Sequence, residues 1–175
     1  GRIRGDRLRG GFLKDSDWPK LARACGELGI EGSYVQPLGL FYYEDNPLKQ
    51  LQRAKLLYKN KYYKKSKTIH SLNNKKIRIG YFSSDFRAHP TMYLIASILK
   101  LHDKSKFEIY LYSFAPKEDK YTEIAKKIGC IFKDINKLND IEAVELARND
   151  QLDIAIDLMG YIQYNRINIF SYRVA

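Results

Sequence analysis

The sequence predicts an α/β fold in which a parallel sheet follows a short helical segment. From about residue 75 onward, short runs rich in Ile, Tyr and Phe alternate with amphipathic stretches of helical length, and turn-forming residues separate the two. Strands that alternate with helices require right-handed crossover connections, and such connections produce a parallel sheet. These observations predict a parallel sheet whose strands are joined by helices.

The first predicted helix begins at Asn46 and Pro47, because asparagine caps helices and proline suits the first helical position. Apolar residues at helical spacing carry this helix to about Lys64. The turn-rich segment 66–74 then links it to the sheet. Beyond it, the predicted elements are strand Ile77–Phe82, helix Pro90–Leu101, strand Phe107–Phe114, helix Lys120–Ile128, strand Cys130–Ile135, helix Asp140–Asn149 and strand Leu152–Leu158.

The chain therefore divides into two regions. We predict a helical linker region over residues 1–74, with a short helix at Trp18–Leu28, and an α/β domain over residues 75–175. A chain of 175 residues suits one well-buried domain with a smaller appendage. Its 45% hydrophobic content indicates a folded protein and excludes a disordered one.

Cysteine usage and hydropathy exclude several classes of protein. Cys25 and Cys130 lie far apart, and no Cys or His cluster has metal-ligand spacing, so we predict neither a disulfide framework nor a metal site. No apolar run approaches the roughly 18–20 residues that cross a bilayer. We therefore expect a soluble, cytoplasmic protein without a membrane contact.

The net charge of +11 comes from one segment. Eleven Lys or Arg residues and no acidic residue lie between Asn46 and Ser84, a surplus equal to the whole net charge. Such a segment could bind an acidic partner, but blocks of like charge are more often solvated surface. We favour the solvated surface, which disfavours nucleic acid as a partner.

The expected topology locates the functional site. Ligands of open α/β sheets bind beyond the carboxyl ends of the strands, where the strand order reverses. If the order is 3-2-1-4, the loops after the first and fourth strands converge. The side chains that this topology nominates are Asp85, His89, Tyr161 and Arg166.

The loop after the first strand carries a carboxylate and an imidazole, Asp85 and His89, four positions apart. It lacks both the GxGxxG and the Walker patterns, which disfavours nicotinamide, flavin and P-loop enzymes. An imidazole here can accept a proton or a hydrogen bond. The same residues could instead cap the turn and the helix, and both interpretations stay open. Asp157, near the end of a buried strand, needs a partner, and we expect Arg166 to be that partner.

Two stretches resemble a known family. Residues 76–91, KIRIGYFSSDFRAHPT, are similar to the opening strand and active-site loop of O-GlcNAc transferase catalytic regions, which read R-I/V-G-Y-V/F-S-S-D-F-x-x-H-P. Residues 157–166 resemble the G-Y-T-x-x-x-R segment of that family. Residues 44–54 resemble the region that links helical repeats to the catalytic part in bacterial members.

The resemblance implies a GT-B architecture, in which two Rossmann-like domains face each other across a cleft, and this chain would hold the first. It also implies an inverting, metal-independent transfer of GlcNAc from UDP-GlcNAc to Ser or Thr hydroxyls of proteins, without a cofactor. Asp85 and His89 match residues of the family's catalytic centre, and either could be the base. Pro90 and Thr91 match residues that line the same pocket, and Tyr161 and Arg166 would contact substrate.

The resemblance further implies tetratricopeptide repeats upstream and a UDP-binding domain downstream of Ala175. We therefore expect this chain by itself to be inactive. Two alternatives stay open: a non-enzymatic α/β module whose basic segment binds nucleic acid or an acidic protein, and a family member that transfers glucose from UDP-glucose to Asn side chains.

Overall fold

The computed structural model divides the chain into two compact units, Gly1–Lys61 and Tyr62–Ala175. Most of the predicted helix over Trp18–Leu28, all but Leu28, and most of the predicted linker over residues 66–74 lie outside the described residues. The structure describes residues 28–30, 34–41, 44–62, 74–162 and 164–175.

The first unit contains a 3-10 turn, Pro37–Leu40, and helix α1, Pro47–Leu57. A π-helical turn, Tyr58–Tyr62, follows α1 and ends at the first residue of the second unit. The side chain of Asn46 accepts a hydrogen bond from the backbone N–H of Lys49 at 3.1 Å. The predicted cap and helix start are therefore confirmed.

Two cations of the basic segment stabilise this unit. Arg53 is fully buried on α1, where its Nη1 lies 2.7 Å from Glu44 Oε2 and its Nε donates to the Leu28 carbonyl oxygen. Lys49 Nζ donates to the other Glu44 oxygen at 2.8 Å. The hydrogen bond from Lys49, together with the charge and hydrogen bond of Arg53, lowers the pKa of Glu44. These two basic residues thus stabilise the fold. The sequence interpretation assigned the basic segment to solvated surface, so it did not predict that Arg53 would be buried.

The second unit contains a four-stranded parallel sheet, and its strands, numbered along the chain, lie in the expected order 3-2-1-4. The helices begin and end close to the predicted positions. Among the described helices, none is long and apolar enough to cross a membrane. The elements of this unit are β1 Ile77–Ser83, α2 Pro90–Leu101, β2 Phe107–Ser113, α3 Lys120–Lys127, β3 Ile131–Asp134, α4 Asp140–Asn149, β4 Ile154–Asp157 and α5 Asn168–Ser171.

The two outer strands are shorter than predicted. β4 has four residues, because its ladder with β1 begins at the pair Ile79–Ile154 and ends at Phe82–Asp157. β3 also pairs on one side only, with β2. Apolar residues such as Leu152 continue the hydrophobic pattern beyond β4, but they pack in the core without belonging to the ladder.

Alternate residues of each strand face opposite layers of the core. On β1, Tyr81 packs with α2 and α3, and Phe82 packs with α4 and α5. The buried residues of the first layer include Ile79, Met92, Ile95, Leu99, Leu111 and Ala125. Those of the second include Tyr112, Ile135, Val144, Ala147, Leu152 and Ile169. Helices cover both faces of the sheet, and ligands of such sheets bind beyond the carboxyl ends of the strands.

Candidate active site

The turn after β1 fixes Asp85 in a buried position, with 3% of its surface exposed. Ser83 Oγ accepts the backbone N–H of Asp85, and Ser84 Oγ donates to Asp85 Oδ1, both at 3.0 Å. Phe86 is fully buried in the core layer beneath α2 and anchors the turn. Two serines and a phenylalanine therefore determine where the carboxylate lies.

His89 lies opposite this carboxylate and is also the N-cap of α2. Its Nδ1 is 3.3 Å from Asp85 Oδ2, 3.2 Å from the backbone nitrogen of Thr91 and 3.1 Å from Thr91 Oγ1. Nδ1 can accept the Thr91 N–H or donate a proton to Asp85, but it cannot do both at once. Capping of α2 and acid–base chemistry with Asp85, the two interpretations of the sequence, therefore require different tautomers of the His89 ring.

The family resemblance also selected the two residues that follow His89. Thr91 is half-buried and contacts the His89 ring through both its backbone and its hydroxyl group. Pro90 is exposed at the first position of α2. The structure therefore brings Thr91 to the Asp85–His89 pair, whereas a substrate contact by Pro90 stays a prediction.

A cleft of about 830 Å³ opens at the carboxyl ends of the strands. Loops after all four strands contribute to it, as expected for an open parallel sheet. Asp85 and His89 are not part of its wall, but Ser84 and Arg87 of the same loop are. The cleft is lined by Ser84, Arg87, Phe114, Pro116, Asn136, Leu138, Asn139, Asp140, Tyr164 and Arg166.

Arg166 forms part of the cleft wall, and all three of its guanidinium nitrogens bind protein acceptors. Nε donates to Asp140 Oδ1 at 2.8 Å, while Nη1 and Nη2 donate to the carbonyl oxygens of Ile135 and Leu138, both at 2.9 Å. The guanidinium also lies over the Phe114 ring. Arg166 therefore joins the loop after β4 to the loop after β3, and its contact with substrate stays a prediction.

The expected pairing of Asp157 with Arg166 is wrong. The carboxylate of Asp157 accepts the backbone N–H groups of Met159 and Gly160, at 2.9 and 3.2 Å. Burial raises the pKa of Asp157, and these two hydrogen bonds oppose the rise. The partners of Asp157 are therefore backbone N–H groups of the following turn and not the expected arginine.

Tyr161 follows this turn and is half-buried. Burial raises the pKa of its hydroxyl, with smaller contributions from Tyr62 and Asp157. Tyr161 is not among the residues that line the cleft. The structure thus places it beside Asp157, and its proposed contact with substrate stays a prediction.

Sequence reasoning did not identify two residues that hold the loop after β1. Arg87 donates through Nε to the Ser84 carbonyl oxygen at 3.1 Å and through Nη2 to Asp85 Oδ1 at 3.3 Å. Asp119 caps α3 and also accepts the Ala88 N–H at 2.7 Å. This hydrogen bond from Ala88 is the main cause that lowers the pKa of Asp119. An aspartate directly before a helix was the available signal, but it indicated only a cap.

Comparisons with known proteins identify the family to which the chain belongs. The model of Glycosyl transferase family 41 matches residues 48–175. The chain is 34% identical over 107 residues to the UDP-N-acetylglucosamine–peptide N-acetylglucosaminyltransferase of Caenorhabditis elegans. The aligned stretch covers 59% of this chain and 9% of that protein. It is 31% identical over 103 residues to the "Probable UDP-N-acetylglucosamine–peptide N-acetylglucosaminyltransferase SPINDLY" of Arabidopsis thaliana, or 57% of this chain and 11% of that protein.

A solved structure, an O-GlcNAc transferase variant from Thermobaculum terrenum, superposes with a TM-score of 0.64 at 25% identity and covers 90% of this chain. This chain corresponds to 30% of that structure and to about a tenth of the curated relatives. The family match includes the sheet, the loop with Asp85 and His89, and the loop with Arg166. The predicted resemblance is confirmed, and the chain belongs to glycosyltransferase family 41.

Proposed function

We propose that this chain contributes part of the catalytic region of an enzyme that transfers GlcNAc from UDP-GlcNAc to Ser or Thr hydroxyls of proteins. The observation that carries the proposal is the Asp85–His89 pair, held 3.3 Å apart at the carboxyl end of β1. The names of the relatives support a UDP-GlcNAc donor and a peptide acceptor.

In this mechanism His89 is the base and Asp85 positions it. Asp85 is 3% exposed, so its carboxylate is shielded from an acceptor, whereas about a third of the His89 side chain is exposed. With the Nδ1 proton directed at Asp85, the outer nitrogen, Nε2, takes the acceptor proton. The acceptor oxygen then bonds to the anomeric carbon, and the bond from that carbon to the diphosphate oxygen breaks with inversion. The electron pair of that bond leaves with UDP.

The test measures UDP release by the full-length protein that contains this chain, with UDP-GlcNAc and an acceptor protein. We expect His89→Gln to lower kcat by about 10²–10⁴-fold, the usual contribution of a positioned general base. Asp85→Asn should lower kcat through loss of the imidazolium partner. Matched controls are His102→Gln and Asp103→Asn at the opposite end of α2, which should retain activity. Unchanged rates in both active-site variants would refute the proposal.

The same assay tests the finer parts of the proposal. UDP-GlcNAc should support transfer better than UDP-glucose, and Ser or Thr peptides should be better acceptors than Asn peptides. If the reaction needs no metal, EDTA should leave the rate unchanged. If the enzyme instead transfers glucose to Asn, the proposed sugar and acceptor are wrong, while the family assignment is unaffected.

A further inference from the structure

We infer that the cleft at the carboxyl ends of the strands binds the acceptor polypeptide, and that Arg87 selects an acidic side chain close to the acceptor hydroxyl. This inference rests on the proposed function. It adds a specificity-determining residue that lies outside the Asp85–His89 pair.

The chemistry of the cleft suits a polypeptide segment. Its volume of about 830 Å³ lies within the range of well-formed ligand sites. Phe114, Pro116 and Leu138 supply apolar surface, and Asn136 and Tyr164 supply groups that can hydrogen-bond to a peptide backbone. Apolar contacts with a few placed polar groups are the usual composition of such a site.

Arg87 retains donors that can reach a ligand. A guanidinium has five N–H groups, and Arg87 uses one on the Ser84 carbonyl oxygen and one on Asp85. Its other three N–H groups have no acceptor among the residues that the structure describes. About a third of the side chain is exposed, and it lines the cleft. These donors match the fork geometry of a carboxylate.

The other charges of the cleft make Arg87 its selective element. Arg166 has its three nitrogens on protein acceptors, and Asp140 is paired with Arg166 and with Asn168 Nδ2 at 3.0 Å. Their charges offset each other. Arg87 is itself paired with Asp85 through one N–H, so its preference for an acidic group depends on the three N–H groups that it keeps for a ligand.

The position of Arg87 indicates which part of an acceptor it would contact. It is two residues from Asp85 and two from His89 in a loop fixed by buried side chains. A carboxylate held by Arg87 therefore lies within a few residues of the hydroxyl that meets His89. The preference should appear at flanking positions of the acceptor sequence and not at distant ones.

The test uses the full-length protein and fluorescent peptides in which a central serine is flanked by alanines. One Glu, Gln or Lys is placed in turn at each flanking position, and binding is measured by anisotropy without a donor. We expect the wild type to bind the best Glu peptide about two- to fivefold more tightly than its Gln counterpart, as for an ion pair near the surface. Arg87→Gln should abolish this ratio, and Arg87→Lys should preserve part of it.

The matched control is Arg78→Gln at the opposite end of β1. Arg78 is similarly exposed and pairs with Glu108 at 2.9 Å, so this variant loses the same charge away from the cleft and should keep the ratio. Because each ratio compares two peptides on one protein, a general loss of stability does not change it.

Three results would overturn the inference: no preference in the wild type, a preference that persists in Arg87→Gln, or competition by UDP or inorganic phosphate that depends on Arg87. Sugar transfer is measured separately on the same peptides. Transfer without an Arg87-dependent preference would reject the inference and retain the proposed function. Arg87-dependent binding without transfer by the wild type would reject the proposed function instead.

Discussion

Replacing Arg166 with Met should destabilise the chain, because the structure assigns this residue to the fold. The substitution removes three hydrogen bonds, to Asp140 and to two backbone carbonyl oxygens. Bonds to charged donors contribute about 1.5–3 kcal/mol each, but Asp140 is 30% exposed and regains water. We therefore expect a loss of about 2–4 kcal/mol, a large share of the roughly 5–15 kcal/mol that stabilises a typical protein.

Urea unfolding of the chain, followed by circular dichroism, measures this loss. With an m-value of about 2 kcal/mol/M, in the middle of the usual range for urea, the midpoint should fall by roughly 1–2 M. Arg173→Met, at an exposed arginine, is the control and should change the free energy of unfolding by less than about 0.5 kcal/mol. Combining Arg166→Met with Asp140→Asn should cost less than the sum of the two single changes, because they share a contact.

An unchanged midpoint in Arg166→Met, together with a raised KM in the full-length protein, would refute this reasoning. It would show that Arg166 contacts substrate, as the sequence alone suggested. A changed m-value would instead indicate an altered unfolded state and would require a second probe of stability.

Two further predictions concern the sheet. Gly80→Ala should cost about 1–3 kcal/mol, because a Cβ there would lie 2.5 Å from the Leu152 side chain. Gly39→Ala, whose Cβ would meet no atom of the described residues within 4 Å, should be near neutral, and equal effects of the two changes would contradict this. Burial raises the pKa of Tyr110 to about 12, so the stability from its neutral phenol, complete below pH 10, should be lost as pH rises through 12. Burial also raises the pKa of Tyr112, which should add to the loss of stability above pH 10. Changing both to Phe should flatten this loss, as measured by unfolding at several alkaline pH values.

The proximity of Asp85 and His89 could be predicted because it depends on one short loop. Four residues separate them, and a turn before a helix brings such positions together. Their exact relation could not be predicted, since it requires Ser84 to fix Asp85 and the α2 amide of Thr91 to orient the ring. The sequence therefore indicated a pair but not its competing tautomers.

Contacts between loops were beyond the sequence interpretation. Nothing in the spacing of Arg166 favours Asp140, 26 positions away, over Asp157, nine positions away. The pairing follows from the packing of the loops after β3 and β4 around the cleft. The link from Asp119 to the Ala88 N–H has the same origin, because it joins the loops after β1 and β2.

The sequence by itself determined the alternation of strands and helices, the parallel order of the sheet, the cap at Asn46 and the family motif around Asp85. Hydrophobic period, helix capping and crossover handedness are local or general rules, so they can be applied without coordinates. Only the tertiary structure decided that Arg87 lines the cleft and that Arg166 holds its wall. Those roles depend on side chains that are distant in sequence and that the packed sheet brings into contact. No pattern along the chain predicts such contacts.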